Sequence, residues 1–263
     1  MDYYADGIWY DAEYVHIRGD IPYYQQVAAD TSGPILELAS GTGRLSIPMV
    51  QVGAEVHGID IAPGMIERAQ EKRKALPPYD QARLRFDVAD MRTFRGDGPY
   101  AAVVLAFNTL MHMVDDDDLL ATLTTARQNL IPEGLFHLDL YTPFPELWRS
   151  RKPEERYDPQ EMVDPRTGHR YIVSENNEYN PRSQINRMWF FYQQVDAHGA
   201  KIGPEREAVL DLRVLFPREL DLFLRLAGFE IVGDWDDFER VEPFSGAAGR
   251  RVIAARPVAT RSL

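Results

Sequence analysis

The sequence predicts an α/β fold with a smaller antiparallel β insert in its second half. Three observations predict it. An apolar strand leads into a glycine turn and a helix within residues 35–49, and three further apolar segments before position 110 end on polar side chains. Beyond position 165, segments of alternating apolar and polar residues are separated by turn signals. A chain of 263 residues is long enough for one large domain with a substantial insert.

The first of these elements is a strand at residues 35–38 followed by a glycine turn. Its side chains are mostly apolar, as in a buried strand of a parallel sheet. Gly41 and Gly43 allow positive φ angles and leave room for a ligand to approach the backbone. The helix that follows is predicted to end near Gly53. A strand, loop and helix of this kind typically hold a nucleotide at the carboxyl end of the strand.

Three later apolar segments end on Asp60, Asp90 and Asn108. The carboxyl ends of parallel strands meet at one rim of a sheet, so these side chains are expected near Glu37 and the glycine turn. A single acid at a strand end is as often a helix cap or a solvated residue. Four polar strand ends together favour a nucleotide-like ligand.

The loop Glu37-Leu38-Ala39-Ser40-Gly41-Thr42-Gly43, with the acids that end the second and third strands, resembles the motifs of class I S-adenosylmethionine-dependent methyltransferases. One position departs from the family pattern, because Ala39 stands where these enzymes usually have their first glycine. The resemblance implies S-adenosylmethionine as the cofactor and a Rossmann-like seven-stranded sheet of strand order 3-2-1-4-5-7-6. A nicotinamide or flavin dinucleotide is the rival ligand, but its fingerprint needs a third glycine where this chain has Ser46.

The resemblance also implies which residues hold the cofactor. Asp60 is expected to accept both ribose hydroxyls, Asp90 to face the adenine amino group, and Ile61 and Met65 to form apolar walls beside the adenine. The complete implied set is Tyr14, Arg18, Glu37, Ala39, Ser40, Gly41, Gly43, Asp60, Ile61, Met65, Asp90, Met91, Phe107 and Asn108. No metal site is expected, since the acidic run at residues 115–118 is interpreted as the solvated first turn of a helix.

Residues 1–30 are rich in tyrosine and are interpreted either as an aromatic packing arm or as a lid over the site. Within them, Tyr10-Asp11-Ala12-Glu13-Tyr14 resembles the YDxxY element of small-molecule methyltransferases. This resemblance implies that Tyr14 reaches the cofactor or the substrate and that Arg18 pairs with the cofactor's carboxylate.

The remaining segments divide the chain into a cofactor domain and an insert. Strands of the main sheet are predicted at residues 35–38, 55–60, 84–91, 101–108, 135–141, 229–235 and 251–255. Antiparallel strands are predicted at residues 169–179, 184–195 and 205–215, after a proline-rich linker at residues 142–165. The predicted cofactor domain comprises residues 1–141 and 216–263, with residues 1–30 as its lid, and residues 142–215 form the insert. The insert resembles that of glycine N-methyltransferase and the amino-sugar N-methyltransferases, which implies a substrate wall, a dimer surface or both.

Composition limits the partners. The formal net charge is -12 with no basic run, which argues against general binding to nucleic-acid phosphate. The chain has no cysteine, which excludes disulfides, thiolate metal sites and a cysteine nucleophile. No signal peptide or membrane-spanning run is recognised, so we expect a cytoplasmic protein. The expected partners are a small-molecule acceptor and a second copy of the chain bound through the insert, with no nucleic acid and no membrane.

The sequence therefore predicts an enzyme that transfers a methyl group from S-adenosylmethionine to a nitrogen or oxygen of a small molecule. His112 is the candidate base because imidazole titrates near neutral pH, and Tyr14 is the second catalytic candidate; a structural histidine is the alternative. Two other functions stay open: a non-catalytic regulatory protein that binds S-adenosylmethionine or S-adenosylhomocysteine, and a methyltransferase acting on RNA or protein. Asn108-Thr109-Leu110-Met111 stands where base N-methyltransferases carry an NPPY-type or DPPY-type motif, which weakens the RNA alternative.

Overall fold

The computed structural model describes residues 2–143, 154–247 and 249–258. Its helices are α1 (Gly7–Glu13), α2 (Ile21–Asp30), α3 (Ser46–Gln51), α4 (Pro63–Lys74), α5 (Pro78–Ala82), α6 (Asp116–Gln128) and α7 (Pro217–Leu226), with a 3₁₀ turn at Thr109–His112. Its strands are β1 (Ile35–Leu38), β2 (Val56–Asp60), β3 (Leu84–Val88), β4 (Tyr100–Leu105), β5 (Leu130–Tyr141), β6 (Tyr157–Val163), β7 (Arg170–Asn180), β8 (Ile185–Val195), β9 (Arg206–Arg213), β10 (Phe229–Trp235) and β11 (Arg250–Pro257). Among the described helices, none has the length and apolar character that a membrane span requires.

The larger sheet has seven strands in the order β10-β11-β5-β4-β1-β2-β3. Strands β1 to β5 pair in parallel, whereas β11 runs antiparallel to both of its neighbours. Numbered within this sheet alone, the order is 3-2-1-4-5-7-6, so the predicted Rossmann-like topology is confirmed.

Alternate side chains of β1 enter different apolar cores. Leu36 and Leu38 belong to the core that α6 and α7 complete, and Ile35 belongs to the core on the side of α2, α3 and α4. All four residues of β1 are buried, including Glu37. Because helices cover both faces of the sheet, its central strands are mostly apolar, and their carboxyl ends are held rigidly at one rim.

The fifth strand of the large sheet starts earlier than predicted, at Leu130 and not at residue 135. The Pro132–Gly134 segment was expected to be a turn before the strand. It is instead an irregularity within the strand, where pairing with β4 shifts from Tyr100 opposite Leu130 to Ala102 opposite Leu135. An extra stretch of this kind interrupts the ladder without ending the strand, which the sequence pattern does not distinguish from a turn.

The insert is a four-stranded antiparallel sheet in the order β6-β7-β8-β9. The three predicted strands are present, but β6 lies within residues 142–165, which were wrongly assigned to a linker. Pro159 disfavoured a strand in the sequence pattern. Strand β6 lies on the edge of the sheet, and its pairing with β7 shifts register between Tyr157 and Gln160, where Pro159 is located. Proline is tolerated at such a position because an edge bulge needs no donated ladder hydrogen bond. The rest of the proposed linker, residues 144–153, lies outside the described residues.

The N-terminal segment packs against the insert. Trp9 is buried with its ring centroid 4.8 Å from that of Tyr171 and 5.5 Å from that of Tyr192. An ion pair of 2.8 Å joins Asp6 at the start of α1 to Arg166 in the turn between β6 and β7. The two segments therefore share one apolar cluster, separate from the two cores of the large sheet.

Candidate functional site

A cavity of about 800 Å³ lies where the carboxyl rim of the large sheet, the N-terminal segment and the inner face of the small sheet meet. Eleven residues singled out from the sequence line it: Tyr14, Ala39, Gly41, Asp60, Ile61, Met65, Asp90, Met91, Phe107, Asn108 and His112. Its remaining walls include tyrosines of the N-terminal segment and side chains of β7, β8 and β9. Strand ends that are distant in sequence thus share one enclosed space.

The turn after β1 forms an open cradle. Ala39, Gly41 and Gly43 have φ angles of 53°, 55° and 77°, all in the left-handed region. A Cβ atom at Gly41 would meet nothing within 4 Å, so the backbone there is open, whereas a Cβ at Gly43 would lie 2.7 Å from the Phe86 ring. Gly41 therefore leaves room for a ligand, and Gly43, which does not line the cavity, allows the turn to pack on β3.

Asp60, at the end of β2, is held by the backbone of two loops. The amide of Gly41 donates to Oδ2 at 2.9 Å, and the amide of Ala62 donates to Oδ1 at 2.8 Å. Burial raises the pKa of Asp60, an effect that these backbone hydrogen bonds oppose. Each carboxylate oxygen can accept more than one hydrogen bond, so both remain able to receive a hydroxyl from a diol such as ribose.

Asp90 and Met91 follow β3 and line the same cavity. The guanidinium of Arg92 pairs with Asp90 at 2.6 Å and with Asp118 at 2.7 Å, and its hydrogen bonds to Asp90 hold the pKa of that carboxyl below its ordinary value. Asp118 belongs to the acidic first turn of α6, and it also lines the cavity. Within the described residues, no three His, Asp or Glu side chains converge in a way that could hold a metal ion.

Phe107 and Asn108 lie in a tight turn after β4, with φ angles of 58° and 61°. The buried carboxylate of Asp139 on β5 supports this turn by accepting the Phe107 amide at 3.0 Å. The side-chain oxygen of Asn108 in turn accepts the Tyr141 amide at 2.7 Å. Both residues reach the cavity because two hydrogen bonds to β5 stabilise a left-handed backbone that non-glycine residues rarely adopt.

Besides Gly43, three other residues of the implied cofactor set do not reach the cavity surface. They are Arg18, Glu37 and Ser40. Glu37 is buried beneath the glycine turn, where it accepts a hydrogen bond from the Ser46 hydroxyl, and burial raises its pKa to about 7. Ser40 is also buried, and its Oγ has no hydrogen-bond partner in the described part of the chain. Arg18 is exposed and donates to the Val15 carbonyl at 3.2 Å, so the structure does not bring it to the site.

Arg44 is a partly buried cation beside the glycine turn, and the sequence reasoning missed it. Its guanidinium lies 4.6 Å from the centre of the Phe107 ring and donates to Asp20 at 2.7 Å and to the Ile17 carbonyl at 3.2 Å. These contacts tie the segment before α2 to the glycine turn. The available signal was position, since Arg44 directly follows the second glycine of the motif.

Tyr14 lies over the site as part of a hydrogen-bonded group of N-terminal side chains. Its hydroxyl contacts the Tyr3 hydroxyl, and its ring meets the Phe107 ring edge-on at 5.3 Å. Glu13 accepts hydrogen bonds from Tyr3 and from Tyr192 of β8, both at 2.9 Å. The N-terminal segment therefore roofs the cavity and is hydrogen-bonded to the insert. Both a lid and a structural packing arm would have this arrangement.

His112 lines the cavity from the 3₁₀ turn, where its Nε2 lies 2.9 Å from the hydroxyl of Tyr4. Burial lowers the pKa of His112 to about 4, so the imidazole is uncharged at neutral pH. A nitrogen that is hard to protonate and already has a hydrogen-bond partner is a weak proton acceptor. The geometry suits orientation of the roof or of an acceptor better than proton removal.

Glu175 on β7 is a second residue that the sequence reasoning missed. It lines the cavity with Val173 and Asn177, its neighbours at alternate positions on the same face of the strand. Burial raises the pKa of Glu175 to about 7. The signal in the sequence was this alternation, because Glu175 shares its face with the apolar residues Tyr171 and Val173.

The observed donors and acceptors fit an adenosine cofactor with an amino-acid tail. Asp60 offers a carboxylate for a diol, Ile61 and Met65 offer apolar surface, and Gly41 offers open backbone.

Comparison with known proteins follows from this geometry. Residues 35–134 match the sequence model of a family described as a methyltransferase domain. The chain is 27% identical over 236 residues to YqeM of Bacillus subtilis (strain 168), provisionally named a methyltransferase, and the match covers 88% of this chain and 89% of that protein.

Two solved structures share the fold across nearly the whole chain. The CcbJ methyltransferase from Streptomyces caelestis has a TM-score of 0.74 at 25% identity, covering 98% of this chain and 99% of that chain. An amino pentose methyltransferase from Micromonospora echinaspora, involved in calicheamicin biosynthesis and solved with S-adenosylmethionine bound, has a TM-score of 0.68 at 21% identity. That second match covers 95% of this chain and 96% of the other.

Proposed function

We propose that this chain, a class I S-adenosylmethionine-dependent methyltransferase, transfers the methyl group to a nitrogen or oxygen of a small-molecule acceptor. The observation that carries the proposal is the single cavity that joins the carboxyl rim of the large sheet to the inner face of the insert. One half offers the acids and glycine turn of a cofactor site, and the other half offers a separate wall for an acceptor.

The cofactor half acts by holding a ligand in one orientation. Asp60 accepts the ribose hydroxyls, Asp90 accepts from the adenine amino group, and Ile61 and Met65 cover the faces of the base. When bound, S-adenosylmethionine supplies an electrophilic methyl group, so this chain has to provide position and exclude water. Phe107 and Asn108, on their strained turn, border the place where the two halves meet.

The acceptor half is enclosed, which favours a small molecule over RNA or protein. Tyr3, Tyr10 and Tyr14 roof this half, and strands β7 and β8 form its wall, so the space has the size of a small molecule. The structure of the same fold from Micromonospora echinaspora is named an amino pentose methyltransferase, and that name is in keeping with this class of acceptor. The excess of acidic over basic lining residues also disfavours a polyanion.

Labelled methyl transfer tests the proposal. The protein is incubated with S-adenosylmethionine carrying a labelled methyl group and a metabolite extract of low molecular mass, and labelled products are identified by mass spectrometry. We expect one labelled small molecule and the release of S-adenosylhomocysteine. Label appearing only in RNA or protein fractions would overturn the proposal, and binding of S-adenosylhomocysteine without any transfer would favour the regulatory alternative.

A further inference from the structure

One carboxyl in the acceptor half of the cavity has no partner. Glu175 lines the cavity, and within the described part of the chain its side chain accepts no hydrogen bond and forms no ion pair. Taking a carboxylate out of water without a compensating partner is unfavourable. A carboxylate kept in this state on a cavity wall points to a ligand that supplies the missing partner.

The other side chains that β7, β8 and β9 contribute to the cavity wall are neutral. Across the strands, Glu175 lies opposite Phe190, and Asn177 lies opposite Met188. Asn177 donates to the side chain of Asn186 at 2.8 Å, so these two neighbouring amides are hydrogen-bonded to each other. Glu175 is therefore the charged side chain among those that β7, β8 and β9 contribute to the cavity, and apolar side chains lie beside it.

No described cation of the cavity is available to neutralise Glu175. Arg92 is the permanent cation among the described lining residues, and it pairs with Asp90 and Asp118. Besides burial, the negative charges of Asp158 and Glu13 raise the pKa of Glu175. The local field therefore repels anions and attracts a cation.

Building on the proposed function, we propose that Glu175 binds a protonated amine of the acceptor and so selects amines over alcohols of the same carbon skeleton. An ammonium donates charge-assisted hydrogen bonds to the carboxylate and removes the cost of its isolation, whereas a hydroxyl cannot neutralise it. The apolar neighbours Val173 and Phe190 suit the carbon frame that carries the amine.

Calorimetry on protein saturated with S-adenosylhomocysteine tests this without requiring turnover. Cyclohexylamine and cyclohexanol are the probes, since they differ only in the charged group. We expect wild-type protein to bind the amine more tightly, and Glu175→Gln to weaken amine binding by roughly 10–100-fold while leaving cyclohexanol unchanged. Glu175→Asp keeps the carboxylate but places it farther from the cavity, because the side chain is one methylene shorter. This variant should bind the amine with intermediate affinity.

Glu178→Gln is the matched control, because Glu178 lies on the same strand with an exposed side chain. It should bind both probes as the wild type does, and thermal unfolding should confirm that all variants are folded. Equal affinity of wild-type protein for amine and alcohol, or unchanged amine affinity in Glu175→Gln, would overturn the proposal. Absence of S-adenosylhomocysteine binding would instead overturn the proposed function, so the two failures are distinguishable.

Discussion

Three buried or partly buried carboxylates of the site differ in what their surroundings donate to them. Asp60 accepts two backbone amides, Glu37 accepts one hydroxyl, and Glu175 accepts nothing within the described chain. Burial raises the pKa of all three, and hydrogen bonds to the charged form oppose that rise at Asp60 and Glu37. Glu37 supports the glycine turn, whereas Asp60 is the carboxylate proposed to accept the ribose hydroxyls and Glu175 the one proposed to bind a cation.

Asp60→Asn should weaken S-adenosylhomocysteine binding by roughly 10–100-fold, the equivalent of one charge-assisted hydrogen bond. The amide keeps the size of the side chain but loses the charge and one acceptor. Calorimetry measures the affinity, and Asp97→Asn, at an exposed ion pair with Arg85, is the control that should bind normally. Equal affinity of Asp60→Asn and wild type would remove Asp60 from the cofactor site.

Glu37 should make stability depend on pH. Its pKa is about 7 in the folded protein against an ordinary 4.5, so the folded state binds this proton more tightly than the unfolded state. The contribution is fully present below the unfolded pKa and is lost as pH rises through the folded pKa, by up to about 3 kcal/mol. Glu37→Gln should reduce this loss in urea unfolding measured at about pH 5 and about pH 8.

Glu55→Gln, at an exposed position before β2, is the control and should keep the wild-type pH dependence. If Glu37→Gln and Glu55→Gln show the same pH dependence as the wild type, Glu37 does not titrate in this range.

His112→Gln should keep kcat within roughly tenfold of wild type on the acceptor found by the transfer assay, because the amide can still bond to Tyr4. Since burial lowers the pKa of His112 to about 4, its titration should not shape kcat/KM between about pH 6 and about pH 9. His198→Gln, in an exposed turn, is the control. A loss of about 10²–10⁴-fold with altered pH dependence would instead identify His112 as the base.

At the scale of elements, the N-terminal segment and the insert act as a joint wall. α1 is bonded on one side to the glycine turn, where Thr42 donates to Asp11 at 2.6 Å, and on the other side to β8 through Glu13 and Tyr192. Movement of α1 is therefore coupled to both halves of the cavity. The interpretation of residues 1–30 as a lid stays a prediction, which this coupling makes testable.

Trp9→Ala should lower the free energy of unfolding by about 3–5 kcal/mol, because it leaves a hole between α1 and the insert. It should also raise KM for the acceptor and speed proteolysis at the exposed residues near Arg18. Tyr79→Ala, at a side chain 71% exposed, is the control for loss of an aromatic ring. Unchanged proteolysis and KM in Trp9→Ala would show that α1 is not held by the insert.

At the scale of the whole molecule, the proposed cofactor contacts and the proposed acceptor contacts come from different parts of the chain. Replacing residues 154–213 by a Gly-Ser linker should abolish methyl transfer and leave S-adenosylhomocysteine binding measurable, because Asp60, Asp90 and the glycine turn lie on the large sheet. Binding is measured by calorimetry and transfer with the labelled cofactor. A folded shortened protein with full activity would show that the insert is dispensable.

The homodimer through the insert stays a prediction that analytical ultracentrifugation of the full chain would test.

The sequence by itself determined the large sheet, its strand order through the family resemblance, and most of the residues at which that sheet lines the cavity. This was achievable because strands covered on both faces are apolar runs, and because a parallel sheet brings the end of each such run to one edge. Asp60 and Asp90 could therefore be assigned to a common site from local pattern alone.

Only the tertiary structure decided which neighbouring residues reach that site. Gly43 and Glu37 belong to the motif but face the packing beneath it. Arg44 lies partly buried against Phe107 at the edge of the site, which Arg18 does not reach. The tertiary structure also decided that β6 is a strand, because a proline is tolerated only where the strand lies on the edge of a sheet. It likewise decided that Glu175 faces the cavity without a partner among the described residues, since partners come from distant parts of the chain. The periodicity of apolar residues predicts which side of a helix or strand is buried. It does not predict which residues cover that side, because those contacts are made by residues that are distant in sequence.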